Sequence, residues 1–72
     1  MCGIIGINSN KSVSATIINS LKKLEYRGYD SAGIATLSKG LINEIKSEGR
    51  VENLEKNSLV QNMQGTIGIG HV

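Results

Sequence analysis

The 72-residue chain has no proline, tryptophan or phenylalanine, only two tyrosines, and one cysteine, Cys2. One cysteine cannot close an internal disulfide, and one cysteine with one histidine cannot supply the four ligands of a structural zinc site. A domain of about 60 residues buries only about 60% of the surface that its unfolded chain exposes. Aromatic side chains, which usually contribute most to burial, are scarce here. The length therefore allows at most one small domain, and the chain is a weak candidate for a fold that is stable by itself.

An excess of charge of one sign is also missing, since eight Lys and Arg against six Asp and Glu give a net charge of +2. The basic residues are dispersed and are not interleaved with aromatic residues, so the pattern does not favour nucleic-acid binding. No apolar run approaches the roughly 18 residues of a membrane span. No basic segment precedes the first apolar run, as a signal peptide would require. We therefore expect a cytoplasmic protein with neither nucleic-acid nor membrane partners.

The pattern of apolar residues predicts an α+β fold in the order β-α-β-β-(α)-β. Short β-branched runs bounded by turn residues predict strands over 2–7, 32–37, 41–46 and 66–72. Glycine in the loop 38–40 favours a hairpin between the second and third strands. The third strand alternates apolar with polar residues, which is typical of an edge strand.

The clearest helix is predicted over 13–25, where apolar residues recur at steps of four, four and three. They form one stripe that must pack against the sheet, and they are Val13, Ile17, Leu21 and Leu24. Ser12 is the predicted N-cap, and Gly28 is placed to end the helix. A second, short helix is predicted within the charged segment 47–57.

Cys2 is the candidate nucleophile because it directly follows Met1. Removal of Met1 would give one residue both a thiol and a free α-amine. An ordinary α-amine has a pKa of about 7.7–8.0, so near pH 7 its neutral fraction can accept the thiol proton. This is the N-terminal-nucleophile arrangement, which needs no separate histidine. The alternative is a buried, inert cysteine at the start of a strand.

Arg27 is the second candidate, in the Tyr-Arg-Gly-Tyr-Asp segment 26–30. An arginine beside an aspartate in a glycine-bearing loop can hold an anionic group through two parallel hydrogen bonds. The alternative is an ordinary helix-end arginine that the helix dipole favours. His71 has no acidic or cysteine neighbour in sequence, so we expect a hydrogen-bonded structural role. The glycines at 65, 68 and 70 do not form a dinucleotide fingerprint.

These residues carry a resemblance to a known family. The Cys-Gly-Ile-Ile-Gly-Ile opening resembles the start of the class II glutamine amidotransferases. The string LEYRGYDSAG over 24–33, with GTIGIGH over 65–71, is similar to their glutamine–fructose-6-phosphate aminotransferase branch. The match runs in order along the chain, with 38–62 its least distinctive part. It implies that residues 1–72 are the N-terminal part of a glutaminase domain with the layered αββα fold of N-terminal-nucleophile hydrolases, incomplete beyond its first β-α-β-β-(α)-β section.

The resemblance also implies a chemistry. Cys2 matches the nucleophile that attacks the glutamine amide, forms a glutamyl thioester and releases ammonia, which the full-length enzymes use to convert fructose 6-phosphate to glucosamine 6-phosphate. Arg27 matches an arginine that organises the site, and Gly28 and Asp30 match structural positions of the same loop. His71 matches a histidine that precedes Thr-Arg-Trp in the family. Glutamine is the implied partner, no cofactor is implied, and the family often forms homo-oligomers.

Several of the family's functional groups have no counterpart in these 72 residues, among them the glutamine-clamping arginine, the oxyanion-hole Asn-Gly and the isomerase domains. Loss of one oxyanion-hole donor alone costs about 10²–10³ in rate. We therefore expect the chain by itself to be inactive. Two alternatives remain open: a catalytically dead remnant or interaction fragment of a degraded gene, and a redox-sensing thiol protein. The lack of a resolving cysteine disfavours the second.

Overall fold

A computed structural model describes residues 2–27 and 30–72 of the chain, apart from the side chain of Arg27. The described residues form an α+β structure, as the sequence predicts. Its strands are β1 (Ile4–Asn8), β2 (Ser31–Ser38), β3 (Leu41–Glu48) and β4 (Ile67–His71). Its helices are α1 (Ser14–Leu24), α2 (Val51–Glu55) and α3 (Ser58–Gln61), and a 3₁₀ turn over Glu25–Arg27 follows α1.

The four strands form one sheet in the order β1-β4-β2-β3, and each neighbouring pair is antiparallel. The last strand therefore lies between the first and the second, so that Gly70 pairs with Ile5 on one side and with Ile34 on the other. β3 pairs with β2 alone, which confirms the prediction of an edge strand. The sheet brings residues from both ends of the chain side by side.

The β2–β3 hairpin turns on two residues, Lys39 and Gly40, with φ angles of 53° and 77°. Two consecutive positive φ angles are what a type I′ turn needs, and its twist suits the flanking strands. The predicted role of glycine in this loop is confirmed. The turn is one residue tighter than the predicted loop 38–40, because Ser38 and Leu41 already pair.

Helix α1 packs on one face of the sheet and supplies the centre of the core, as the apolar stripe predicts. The buried apolar residues come from α1 and its N-cap, from β2, from the two short helices α2 and α3, and from the segments on either side of β4: Val13, Ile17, Ile18, Leu21, Ala32, Ile34, Val51, Leu54, Val60, Met63 and Val72. Each is aliphatic or a methionine, in keeping with the scarcity of aromatic residues.

Glycines in β4 allow α1 to lie close to the sheet. A Cβ atom added at Gly70 would stand 2.5 Å from Cγ2 of Ile17, and one added at Gly68 would stand 2.9 Å from Cδ1 of the same residue. Any larger side chain at these positions would push the helix away. The glycine spacing that matches no nucleotide-binding motif therefore serves helix–sheet packing.

Two local predictions need correction. The N-cap of α1 is Val13 and not Ser12, and no side chain caps the helix. Instead, the Val13 backbone N–H donates to the carbonyl of Gly65 at 3.1 Å, which ties the helix start to the segment before β4. The third strand, β3, ends at Glu48 and not at the predicted residue 46, while the short helix predicted within 47–57 is confirmed as α2. Helix α3 was not predicted, although the Asn57 side chain caps it by accepting from the backbone N–H of Leu59 at 2.9 Å.

The face of the sheet away from α1, which we call the open face, exposes large aliphatic side chains. They come from all four strands: Ile4 (79% exposed), Leu37 (44%), Ile42 (75%), Ile67 (42%) and Ile69 (60%). Contiguous exposed apolar patches are uncommon on soluble monomers and mark surfaces that contact something else. None of the helices in the described part of the chain is long and apolar enough to cross a bilayer.

Candidate functional site

The thiol of Cys2 is exposed at the start of β1. Gly3 extends the pairing of β1 with β4 by one step, because its N–H donates to the Val72 carbonyl at 3.2 Å and its carbonyl accepts from Val72 N–H at 3.0 Å. Cys2 therefore directly precedes the hydrogen-bonded ladder. Cys2 is thus not buried among the described residues, contrary to the alternative of a buried, inert cysteine.

The two candidate site residues belong to segments that meet. A Cβ added at Gly3 would stand 3.0 Å from Cδ1 of Leu24, so the backbone next to Cys2 lies against the last residue of α1. Arg27 follows Leu24 by three positions, at the end of the 3₁₀ turn. The fold thus brings the segment that carries Arg27 to the end of the sheet where β1 begins.

Part of the predicted loop lies outside the described residues. The side chain of Arg27 does, and so do Gly28, the predicted helix terminator, and Tyr29. The choice between an anion-holding arginine and an ordinary helix-end arginine stays open. Asp30 is described; it is exposed, and its carbonyl accepts the Gly49 N–H at 2.8 Å.

His71 lies on β4 and is exposed. It pairs with Ile4 on one side and with Gly33 on the other. A Cβ added at Gly33 would clash with Nε2 of the imidazole, so the ring lies over the glycine of β2. The absence of a side chain at Gly33 makes room for it. The hydrogen-bonded structural role stays a prediction.

Sequence reasoning did not single out Glu25. Its Oε2 accepts the backbone N–H of Val51 at 2.7 Å, 26 residues away. Val51 begins α2, whose N-cap residue Arg50 offers no capping side-chain hydrogen bond, so Glu25 satisfies a donor that the helix start leaves unpaired. One signal was present: a glutamate at the C-terminal end of a helix opposes the helix dipole, which indicates a partner elsewhere.

The described residues line several surface cavities. One of about 260 Å³ opens between α1 and the two short helices, near the N-terminal half of α1. It is lined by Ser14, Ala15, Ile18, Asn19, Glu55, Val60 and Gln61. Within residues 2–26 and 30–72, no three His, Cys, Asp or Glu side chains stand together in a way that could hold a metal ion.

Comparison with known proteins shows what the chain is similar to. No family model matches it. The chain is 54% identical over 71 residues to proteins named glutamine–fructose-6-phosphate aminotransferase (isomerizing) from Brucella abortus and Brucella suis, and 48% identical to one from Bartonella henselae. Each alignment covers 99% of this chain. The chain is similar along almost its whole length to one section of these aminotransferases.

The resemblance inferred from the motifs is thereby confirmed. The chain spans about 12% of the length of the aminotransferases it matches. The match therefore concerns one section of those proteins, and what they do as whole enzymes enters only as a proposal for this chain.

Proposed function

We propose that this chain is the nucleophile-bearing section of a glutaminase domain, and that the complete protein transfers the glutamine amide nitrogen to fructose 6-phosphate. The observation that carries the proposal is the exposed Cys2 thiol at the start of β1, in a segment 54% identical to named aminotransferases. Arg27 is the proposed organiser of the same site. Glutamine is the proposed substrate of this section.

The proposed chemistry uses Cys2 alone as nucleophile and base once Met1 has been removed. The neutral α-amine takes the thiol proton, and the thiolate attacks the side-chain amide carbon of glutamine. The tetrahedral intermediate collapses when the ammonium returns its proton to the leaving nitrogen, which departs as ammonia and leaves a glutamyl thioester. Water then hydrolyses the thioester to glutamate and regenerates the thiol. Glutamine and water are consumed, and glutamate and ammonia are formed.

We also propose the layered αββα fold for the complete domain, with a second sheet packed on the open face. Two sheets that pack face to face bury their inner aliphatic side chains about 10 Å apart. The open face offers such side chains on every strand, for example Ile4, Ile42 and Ile69. Residues outside these 72 would supply the second sheet.

The fold proposal predicts that Ile69→Lys affects the stability of the chain alone and of a longer protein differently. In the chain alone Ile69 is 60% exposed, so we expect its thermal midpoint to change little. In a longer protein with the second sheet in place, the lysine would be buried without a partner, and we expect a loss of about 3 kcal/mol or more. Leu59→Lys is the control, because Leu59 is 68% exposed but lies on α3. Equal effects of Ile69→Lys in both settings would contradict the layered fold.

A hybrid enzyme tests the proposed activity. In it, this chain replaces the 71 residues that it matches in the Brucella abortus aminotransferase. We expect the hybrid to release glutamate from glutamine at a rate within about tenfold of that relative, while the chain alone releases none, because a nucleophile without oxyanion-hole donors loses most of its rate advantage. A folded hybrid without glutaminase activity would overturn the proposal. A hybrid that does not fold would also count against it, since the chain would then not fit the place of its relative's segment.

A further inference from the structure

One tight turn makes hydrogen bonds on both sides of the segment that carries Arg27. Before that segment, Oε2 of Glu25 accepts the Val51 N–H at 2.7 Å. After it, the carbonyl of Asp30 accepts the Gly49 N–H at 2.8 Å. The donors are two residues apart, Gly49 in the turn after β3 and Val51 at the start of α2. Glu25 and Asp30 therefore both bind the same short piece of backbone.

The turn that provides these donors is itself held firmly. Gly49 has a φ of +84°, a conformation that favours glycine. The Asn53 side chain donates to the carbonyl of Glu48 at 3.3 Å across the turn. Val51 and Leu54 are fully buried and belong to the same core as α1. Because the turn is anchored in the core, its two N–H donors are held in place relative to α1.

Of these two hydrogen bonds, only the one that Glu25 accepts uses a side chain and can be removed by substitution, since the Asp30 contact uses backbone atoms only. Its backbone N–H caps α1 by donating to the carbonyl of Leu21. Its carboxylate reaches across to α2, although the dipole of α1 disfavours an anion at this end. The preceding residue, Leu24, lies against Gly3 beside Cys2. Glu25 therefore links the end of α1, which lies against the segment of Cys2, to the start of α2.

We propose that Glu25 is a positioning residue, which fixes the Arg27 segment relative to Cys2 by binding the backbone N–H of Val51. The proposal rests on the glutaminase function proposed above, because it gives Glu25 an effect on glutamine turnover through Arg27. Glu25 itself need not touch the substrate. A displacement of about 1 Å in a positioned group can cost up to about 100-fold in rate.

The test compares kcat/KM for glutamine hydrolysis in the hybrid enzyme, per mole of soluble, correctly assembled protein. We expect Glu25→Ala to lower kcat/KM about 10- to 100-fold, and Glu25→Gln, which keeps an acceptor oxygen, to retain activity within about threefold. Glu52→Ala is the matched control: it removes an exposed glutamate from α2 that pairs only loosely with Lys56, at 4.0 Å. It should leave kcat/KM unchanged.

A double-mutant cycle with Arg27→Ala separates positioning from general weakening of the fold. If Glu25 acts through Arg27, adding Glu25→Ala to the Arg27→Ala hybrid should change kcat/KM by less than about twofold, whereas independent effects would multiply. Multiplying effects, an unchanged Glu25→Ala enzyme, or a Glu25→Ala hybrid that fails to fold would each overturn the positioning role. An inactive hybrid with Glu25 intact would instead overturn the proposed function.

Discussion

Replacing Cys2 by alanine in the hybrid enzyme is expected to lower glutamate release by at least about 1,000-fold. The change removes the atom that forms the thioester and leaves no other thiol in this section, because Cys2 is the chain's only cysteine. In a well-studied hydrolase, loss of the nucleophile costs about 10⁶ in kcat, while other groups of the site still give a residual acceleration. Initial rates of glutamate formation, measured with and without the substitution, check this.

The state of Met1 provides an independent check on the same nucleophile. We expect intact-mass measurement of cell-made protein to show that Met1 has been removed, since an acylated nitrogen cannot accept the thiol proton. Cys2→Ser is the conservative control and should fold like the original chain while losing most of the rate. Undiminished glutamate release by Cys2→Ala, or full activity with Met1 retained, would contradict the proposed mechanism.

In the chain alone, Gly70→Ala is expected to destabilise the fold strongly. The added Cβ would stand 2.5 Å from Cγ2 of Ile17 and 3.1 Å from Cδ1 of Leu21, both on α1. Ile17 is β-branched and fully buried, so neither its rotamer nor the helix can shift cheaply. Overpacking of this kind costs about 1–3 kcal/mol and sometimes more. Chemical denaturation of the chain and its variant measures the difference.

Gly6→Ala is the matched control for this prediction, because Gly6 is also a strand glycine. Its added Cβ would meet only Cγ2 of Ile69, at 3.8 Å, which is ordinary contact. Alanine there should be neutral or stabilise by up to about 1 kcal/mol. The combination of Gly70→Ala with Ile17→Ala should cost less than the sum of the single changes, since the truncated side chain no longer clashes. Strict additivity would show that the clash is not the cause.

Local patterns were sufficient to predict most of the secondary structure. The apolar steps from Val13 to Leu24 gave α1 to within a residue at each end. The glycine of the hairpin was assigned correctly. The start of α1 was misassigned to Ser12 because the actual partner of the helix end, Gly65, is more than 50 residues away. Ser12 is a favourable N-cap residue type, but the long-range hydrogen bond from Val13 to Gly65 stabilises the helix start instead.

The residues of the candidate site also differ in how far the sequence could predict them. Cys2 was recognisable from its position and from the motif around it, and the structure shows that it is exposed. Glu25 could not be assigned from its neighbours, since its hydrogen-bond partner Val51 lies on another element. Charge at a helix end is a weak local preference, and the tertiary contact overrides it.

Local sequence patterns are enough to predict the α+β class, the helical stripe, the hairpin and the nucleophile candidate. Each of these depends on periodicity or on residue type over a few neighbouring positions. The three-dimensional packing is needed to show that β4 inserts between β1 and β2, that Gly68 and Gly70 leave room for Ile17, and that Glu25 binds the start of α2. These features depend on which distant segments lie together, and burial of the aliphatic stripe of α1 against the sheet is what brings them there.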